Sequence, residues 1–389
     1  MNRNIDKLYQ IARKPKRMII GLMSGTSLDG LDIALCSVGG SGLQTRLELL
    51  QFETHPYDDD FKNKVRQVFS RQRTDLQLLC VLNPWIALQH AQYINACLKK
   101  WNIRKEDIDL IASHGQTIYH APKKLHGFDE FGNATLQIGD GDHLSVATGI
   151  ICISDFRQKH IAAGGEGAPL ALYGDRILFS SEDEDRLLLN IGGIANFTYL
   201  PAGGKTEKLV CTDTGPGNTM MDALVQQHFP GRSYDSDALI ALRGNVNKEL
   251  LAALKDHPFF RQPFPKTTGP ELFNLGYLQK ALASVNAEIN IEDQMATLNY
   301  FTAATIATAI GQCIGKKPLK IFGSGGGIHN PLLMQHLKER LPQAEFFTTD
   351  QLGINPDAKE AILFALLANE CVAGEEEKML SMGKISFPY

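Results

Sequence analysis

A chain of 389 residues, 43% apolar and 21% charged, has an ordinary globular composition and is too long for one core, so two domains are expected. Its net charge of −4 offers no broad attraction to nucleic acid or to an acidic membrane surface. No apolar run approaches the roughly 20 residues that span a bilayer.

Residues 1–17 are basic, and no apolar h-region follows them, which argues against a secretory signal. They read as a solvated N-terminal tail, so removing residues 1–16 is expected to leave fold and activity nearly intact. From Met18 the chain reads as a strand (MIIGLM), a polar glycine-containing turn and a second strand (LDIALCSV), a hairpin pattern. A helix is expected from about Pro84 to Trp101, with Pro84 in its first turn and Ile86, Tyr93, Ile94 and Cys97 at helical spacing. A buried strand (DLIASHGQT) and two short ones (ATLQIG, GIICISDF) follow.

The second half starts over. RLLLNIGGIANFTYL is again strand, glycine turn, strand; KLVCTDTGPGN is a strand ending in a polar turn, and TMMDALVQQHF continues it as a helix. A loop rich in Pro and Lys (HPFFRQPFPKTTGPELF) leads to a long helix from about Thr297 to Cys313. The strand LKIFGSGGGIHN, the helix PLLMQHLKERL and a last helix, DAKEAILFALLANECV, complete the pattern. Alternating strands and helices indicate an α/β protein. The two strand–turn–strand units, at 18–38 and 186–200, divide it into a first lobe (18–180, completed by the helix 356–372) and a second lobe (181–355). Seven cysteines without a CxxC pair indicate a reducing, cytoplasmic setting, with no disulfide framework and no structural zinc. Cys36, Cys152 and Cys211 lie in or beside strands, where a thiol behaves as a small hydrophobe.

Three glycine-rich turns each follow an apolar strand: Ser24-Gly25-Thr26-Ser27-Leu28-Asp29-Gly30, Ile191-Gly192-Gly193, and Gly323-Ser324-Gly325-Gly326-Gly327. Glycine lets backbone N–H groups approach phosphate oxygens closely. The Thr26 and Ser27 hydroxyls add donors, and Asp29 and Asp32 are candidates to hold magnesium through water. A single such turn would be read as a tight hairpin; three, spread over both halves, suit a nucleotide. No P-loop and no dinucleotide fingerprint is present. The first two turns are assigned to phosphate (Gly25, Thr26, Ser27, Leu28, Asp29, Gly30, Leu31 and Asp32; Gly192 and Gly193). The third (Gly325, Gly326) is assigned to adenosine.

These residues carry a resemblance. The run Gly21–Gly30 resembles the opening signature of the anhydro-N-acetylmuramic acid kinase family. The match continues through Ser113-His114-Gly115-Gln116-Thr117, Asp155-Phe156-Arg157, Gly164–Leu170 and Asn190–Asn196. It closes with Asp213-Thr214-Gly215-Pro216-Gly217-Asn218 and Gly325–Asn330, in family order over nearly the whole chain. The resemblance implies the two-domain actin/hexokinase-like (ribonuclease H-like) fold with an interdomain nucleotide cleft. It also implies ATP with Mg2+, a homodimer and a role in recycling cell-wall sugars. Two positions depart from the pattern. Met23 and Ser24 stand where the superfamily usually has an early aspartate, and Glu166 stands where glutamine is expected.

The resemblance makes Asp213 the general base; the alternative is a helix cap, for which Asn218 is the better candidate. His114 is a sugar contact or a hydrogen-bonded structural histidine. Arg157 clamps a sugar carboxylate or pairs with an internal one. Glu360 faces the sugar or is a solvated first-turn glutamate. The implied reaction is ring opening of a 1,6-anhydro amino sugar by water, coupled to phosphorylation of O6. The rivals are a kinase for another anhydro sugar such as levoglucosan, a chaperone-like or actin-like ATPase, and a sugar-binding protein without catalysis.

Overall fold

The structure is a computed structural model that describes residues 2–167, 170–204, 208–285, 288–355, 357–374 and 382–389. Ala168 and Pro169 of the Gly164–Leu170 block, and Pro356 at the start of the expected last helix, lie outside the described residues. The chain divides into two compact units, residues 1–178 with 354–389, and residues 179–353.

In the first unit, β1 (Lys16–Ser24), β2 (Gly30–Gly39) and β3 (Arg46–Pro56) form an antiparallel meander. β4 (Leu110–Ala121) lies parallel to β1, and β5 (Ala134–Ile138) pairs antiparallel with β4. β6 (Ile151–Ser154) runs parallel to β4, and the C-terminal strand Lys384–Ser386 closes the sheet beside β6. Successive strand residues point to opposite faces, and both faces are covered. Ile19, Ala34, Cys36, Leu110 and Ile153 share one cluster with Ala361, Ile362 and Phe364 of the helix Lys359–Ala373. Ile20, Leu22, Ile33, Ile111 and Cys152 share the other with Ile86, Ala91 and Ile94 of the helix Leu76–Lys100.

Two local expectations need correction here. The helix expected from Pro84 starts at Leu76, because the Asp75 side chain accepts from the Gln77 and Leu78 N–H groups and caps it. Pro84 is interior, so its position in the sequence marked the start too late. Nor are residues 1–17 a solvated tail. Arg3–Ala12 is a helix capped by Asn2, and Ile11 is 2% exposed in the core. Arg17 is buried and donates to the carbonyls of Ile11 and Ala12 and to Oδ1 of Asn369. A polar composition hid a helix with one apolar stripe, Leu8 and Ile11, facing the core.

In the second unit, β7 (Arg186–Ile191), β8 (Ile194–Leu200) and β9 (Val210–Pro216) form an antiparallel meander. β10 (Leu319–Ser324) is parallel to β7, and β11 (Ala344–Thr348) is parallel to β10. The helix Ile291–Ile314 lays Ala303, Ile306 and Ile310 against Leu187, Leu189 and Phe197.

The strand orders are β3-β2-β1-β4-β6 and β9-β8-β7-β10-β11. Each is an antiparallel meander followed, on the open side of its first strand, by two strands parallel to it. The chain is α/β, with this ribonuclease H-like order of the actin and hexokinase type in both units. Among the described residues no helix is long and apolar enough to cross a membrane.

Candidate active site

In the first unit, the turn between β1 and β2 exposes Thr26, Ser27 and Asp29 while Leu28 is buried at φ 58°. Oδ1 of Asp29 accepts from the Ser27 hydroxyl at 2.7 Å and from the Gly30 N–H at 3.1 Å. Asp32, on β2, accepts from the Thr54 hydroxyl at 2.6 Å. Burial raises its pKa, the Thr54 bond opposes this, and the charges of Asp29 and Asp357 add to the rise.

The glycines of the signature divide by purpose. A Cβ on Gly21 would lie 1.9 Å from the Ala361 carbonyl oxygen, so β1 and the last helix can pack only with glycine there. A Cβ on Gly25 would meet nothing closer than 3.4 Å. Nothing within the protein requires glycine at 25, which leaves an exposed backbone for a ligand.

Beneath this turn a buried chain of hydrogen bonds links Ser24 and Gln116 of the sequence motifs to Tyr57 and His90, which carry no sequence signal. Ser24 Oγ donates to Oε1 of Gln116 at 2.5 Å. One proton per hydroxyl then directs the rest: Tyr57 donates to Ser24 at 2.7 Å, and Nε2–H of His90 donates to Tyr57 at 2.9 Å. Burial pushes the His90 pKa down to about 3, so the ring is neutral. Nε2 of Gln116 reaches the Gly25 carbonyl at 3.3 Å, which ties this network to the turn.

Of the three residues assigned to the sugar, His114 and Arg157 meet in this unit, and Glu360 acts on Arg157 through its charge. His114 lies inside β4, not at its end, and is buried. Arg157, in the short helix Phe156–Ala162, donates through Nε to Nε2 of His114 at 3.0 Å and through Nη1 to the Gly167 carbonyl at 2.9 Å. His114 is therefore neutral with its proton on Nδ1. Burial, reinforced by the Arg157 charge, pushes its pKa down to about 3. Glu360 is in the first turn of the last helix and its side chain is exposed. The surrounding protein still partly desolvates the carboxyl and raises its pKa, as do Asp32 and Asp29, while Lys359 and Arg157 pull it back. Lys359 pairs with buried Asp175 at 2.7 Å. Glu166 pairs with Lys124 at 3.1 Å.

In the second unit, three turns converge. The Gly217 N–H donates to the Gly193 carbonyl and the Asn218 N–H to the Gly192 carbonyl, both at 2.8 Å. Gly325, at φ +82°, leaves room for the Ile191 carbonyl, which its Cβ would approach to 2.7 Å. A Cβ on Gly326 would find its nearest neighbour at 3.8 Å, so its backbone is open, as at Gly25.

Asp213 is on β9, which continues past it to Pro216, so it is not at the strand's end. A bulge in the ladder with β8 falls between Ala195 and Asn196, opposite Gly215 and Asp213. Asp213 caps no helix. Asn218 holds the N-cap position of the helix Thr219–His228, but its side chain donates to the Ile191 carbonyl instead of capping. Oδ2 of Asp213 accepts from the Thr268 N–H at 2.8 Å. Burial raises the Asp213 pKa, the Thr268 N–H opposes the rise, and the like charge of Glu271 adds to it. A half-buried carboxylate with one fixed oxygen and a raised pKa suits a general base.

Asp29 and Asp32 are the candidates to hold magnesium through water. Among the described residues no three His, Cys, Asp or Glu side chains gather to form a metal cage. Exposed Asp29 and part-buried Asp32 fit the other mode, one or two carboxylates completed by water and substrate phosphates.

A family model for anhydro-N-acetylmuramic acid kinase matches residues 17–379. Two curated proteins of that name are 55% identical over the whole of both chains (Pseudoalteromonas atlantica) and 40% identical over 98% of this chain and all of the other (Caldanaerobacter subterraneus). Among solved structures, a ROK family glucokinase from Streptomyces griseus in complex with glucose and AMPPNP covers 90% of this chain and 98% of its own, at 10% identity and TM-score 0.34. That likeness is too slight to bear on the site.

Proposed function

The chain belongs to the anhydro-N-acetylmuramic acid kinase family, and from that premise we propose that it opens the 1,6-anhydro ring of anhydro-N-acetylmuramic acid with water and phosphorylates O6 from ATP. The chain is thus a kinase; the substrate, the residue roles and the setting are this proposal. The observation that carries it is Asp213, a part-buried carboxylate held by one oxygen on the Thr268 N–H, on the strand that runs into the turn where Gly217 bonds to Gly193.

A 1,6-anhydro sugar has no free 6-hydroxyl. Asp213 takes a proton from water as the water oxygen bonds to the anomeric carbon. The C1–O6 bond breaks, O6 takes the γ-phosphoryl group, and ADP leaves. General-base help contributes roughly 10²–10⁴-fold, and positioning with charge neutralisation at phosphorus supplies much of the rest. The open backbones at Gly25 and Gly326, with Thr26, Ser27, Leu28, Gly30, Leu31, Gly192, Gly193 and Gly325, carry the nucleotide. Asp29 and Asp32 would hold Mg2+, which neutralises phosphate charge. His114, Arg157 and Glu360 bind the sugar. Two donors of Arg157 are committed to His114 and Gly167, and the rest of its five serve the lactyl carboxylate.

The same reading makes the protein a cytoplasmic homodimer of two-lobed subunits (18–180 with 356–372, and 181–355). Light scattering and cell fractionation test that part. The central test is ATP consumption across a panel of anhydro-N-acetylmuramic acid, levoglucosan and ordinary hexoses, run in ¹⁸O-water. Label at the anomeric hydroxyl and none in phosphate is the expected result. Label in phosphate, or sugar-independent hydrolysis, would replace this reading with that of an ATPase.

A further inference from the structure

β9 is the edge strand of its sheet, and residues 264–268 of the Pro- and Lys-rich loop run along its open side. The Asp213 N–H donates to the Lys266 carbonyl at 3.0 Å. The Lys266 N–H donates to Thr212 Oγ1 at 2.9 Å, and that hydroxyl donates back to the Lys266 carbonyl at 3.1 Å. Two residues further on, the Thr268 N–H holds Oδ2 of Asp213.

The side chain of Lys266 anchors this segment. It is 8% exposed, its Nζ donates to the Phe259 carbonyl at 2.9 Å, and it lies 4.4 and 4.3 Å from the ring centroids of Phe259 and Phe264. Ring faces attract a cation, but burying an ammonium is still costly. An apolar side chain would fill the same space without that cost. The ammonium adds a directed bond that fixes where the segment lies against β9.

We propose that Lys266 is a positioning residue for Asp213: its ammonium, held by Phe259 and Phe264, pins the edge segment whose Thr268 N–H fixes Oδ2 and leaves Oδ1 as the proton acceptor. This rests on the reading of Asp213 as the general base. Glu271 is the charged group that faces Asp213, and Cys313 faces Lys266. The Thr268 bond favours the ionised carboxylate, so loosening the segment raises the Asp213 pKa and moves the acid limb of the rate profile to higher pH.

The test is the pH dependence of kcat in the full chain, with Lys266→Met, Lys266→Arg and a variant whose residue 268 is the α-hydroxy acid of threonine, an ester without the N–H. Lys266→Met is expected to lower kcat roughly 10–100-fold with the ATP KM unchanged, and to raise the acid limb by about one pH unit. Lys266→Arg restores most of both, and the ester reproduces the shift. A folded Met variant with an unmoved limb and kcat within about twofold of the parent would overturn the proposal. If the Met variant does not fold, the ester decides, and an unmoved limb there overturns it equally. Asp213→Asn separates the two levels. Retained turnover removes the base reading itself, whereas an inactive Asp213→Asn with unmoved limbs elsewhere removes only the role of Lys266.

Discussion

Arg157 and His114 fix each other. The guanidinium Nε donates to His114 Nε2 at 3.0 Å, which sets the histidine tautomer and the plane in which the arginine's remaining donors point. Lysine at 157 keeps the charge but has one compact ammonium that cannot serve His114, the Gly167 carbonyl and a carboxylate together. Arg157→Lys is therefore expected to raise the sugar KM at least about tenfold, with the ATP KM nearly unchanged. Initial-rate kinetics with each substrate varied decide it, and an unchanged sugar KM removes Arg157 from the sugar site.

Asp213→Asn separates proton transfer from packing. The amide has nearly the same shape and can still accept the Thr268 N–H, but it takes no proton from water. Turnover should fall by roughly 10²–10⁴, with the melting temperature and ATP affinity near those of the parent. In the parent, burial raises the Asp213 pKa and Glu271 adds to it. The base is therefore lost as pH falls through a value above that of an ordinary aspartate. Glu271→Gln removes the like charge and should move that acid limb down. A limb that moves up or stays would show that Glu271 does not act on Asp213.

Glycine-to-larger substitutions should divide as the geometry does. Gly25→Val and Gly326→Val add side chains where the protein offers space, so ATP affinity should weaken about tenfold or more while the fold survives. Gly21→Ala sets a methyl 1.9 Å from the Ala361 carbonyl oxygen and must displace the last helix. Overpacking of this kind costs about 1–3 kcal/mol or more, so this variant should lose stability first. Isothermal titration with a non-hydrolysable ATP analogue and thermal melts give the two readouts. Undiminished ATP affinity in both valine variants would defeat the nucleotide assignment of these turns.

Removing residues 1–16 should destabilise the protein, contrary to what the composition of this stretch suggests. Burial of Ile11 alone is worth about 1.5–3 kcal/mol. The deletion also strips Arg17 of the Ile11 and Ala12 carbonyls and breaks the Lys14–Asp109 pair at 2.5 Å. A fall in melting temperature of roughly 5 °C or more follows from about 2–4 °C per kcal/mol for domains of this size. An unchanged melting curve would mean that the helix is not held in solution.

The sequence by itself determined most of the strands and the glycine turns, though not β3, β11 or the C-terminal strand. The apolar runs of β1, β4, β7 and β10, each ending in glycine or a small polar residue, declare themselves through neighbours a few positions apart, and so does Asp213 beside its Gly-Pro-Gly turn. What it could not supply were contacts between residues far apart along the chain. Lys266 meets Thr212 across 54 residues, Arg17 meets Asn369 across 352, and Tyr57 joins Ser24 of the first turn to His90, with no motif marking Tyr57 or His90. Such residues have no local periodicity to betray them. A lysine in a Pro-rich loop or a histidine in a long helix looks like a surface group until the sheet is assembled and water is excluded. Tertiary structure alone decides that these polar groups are buried, because burial requires each to find a partner, and the partner comes from another part of the fold.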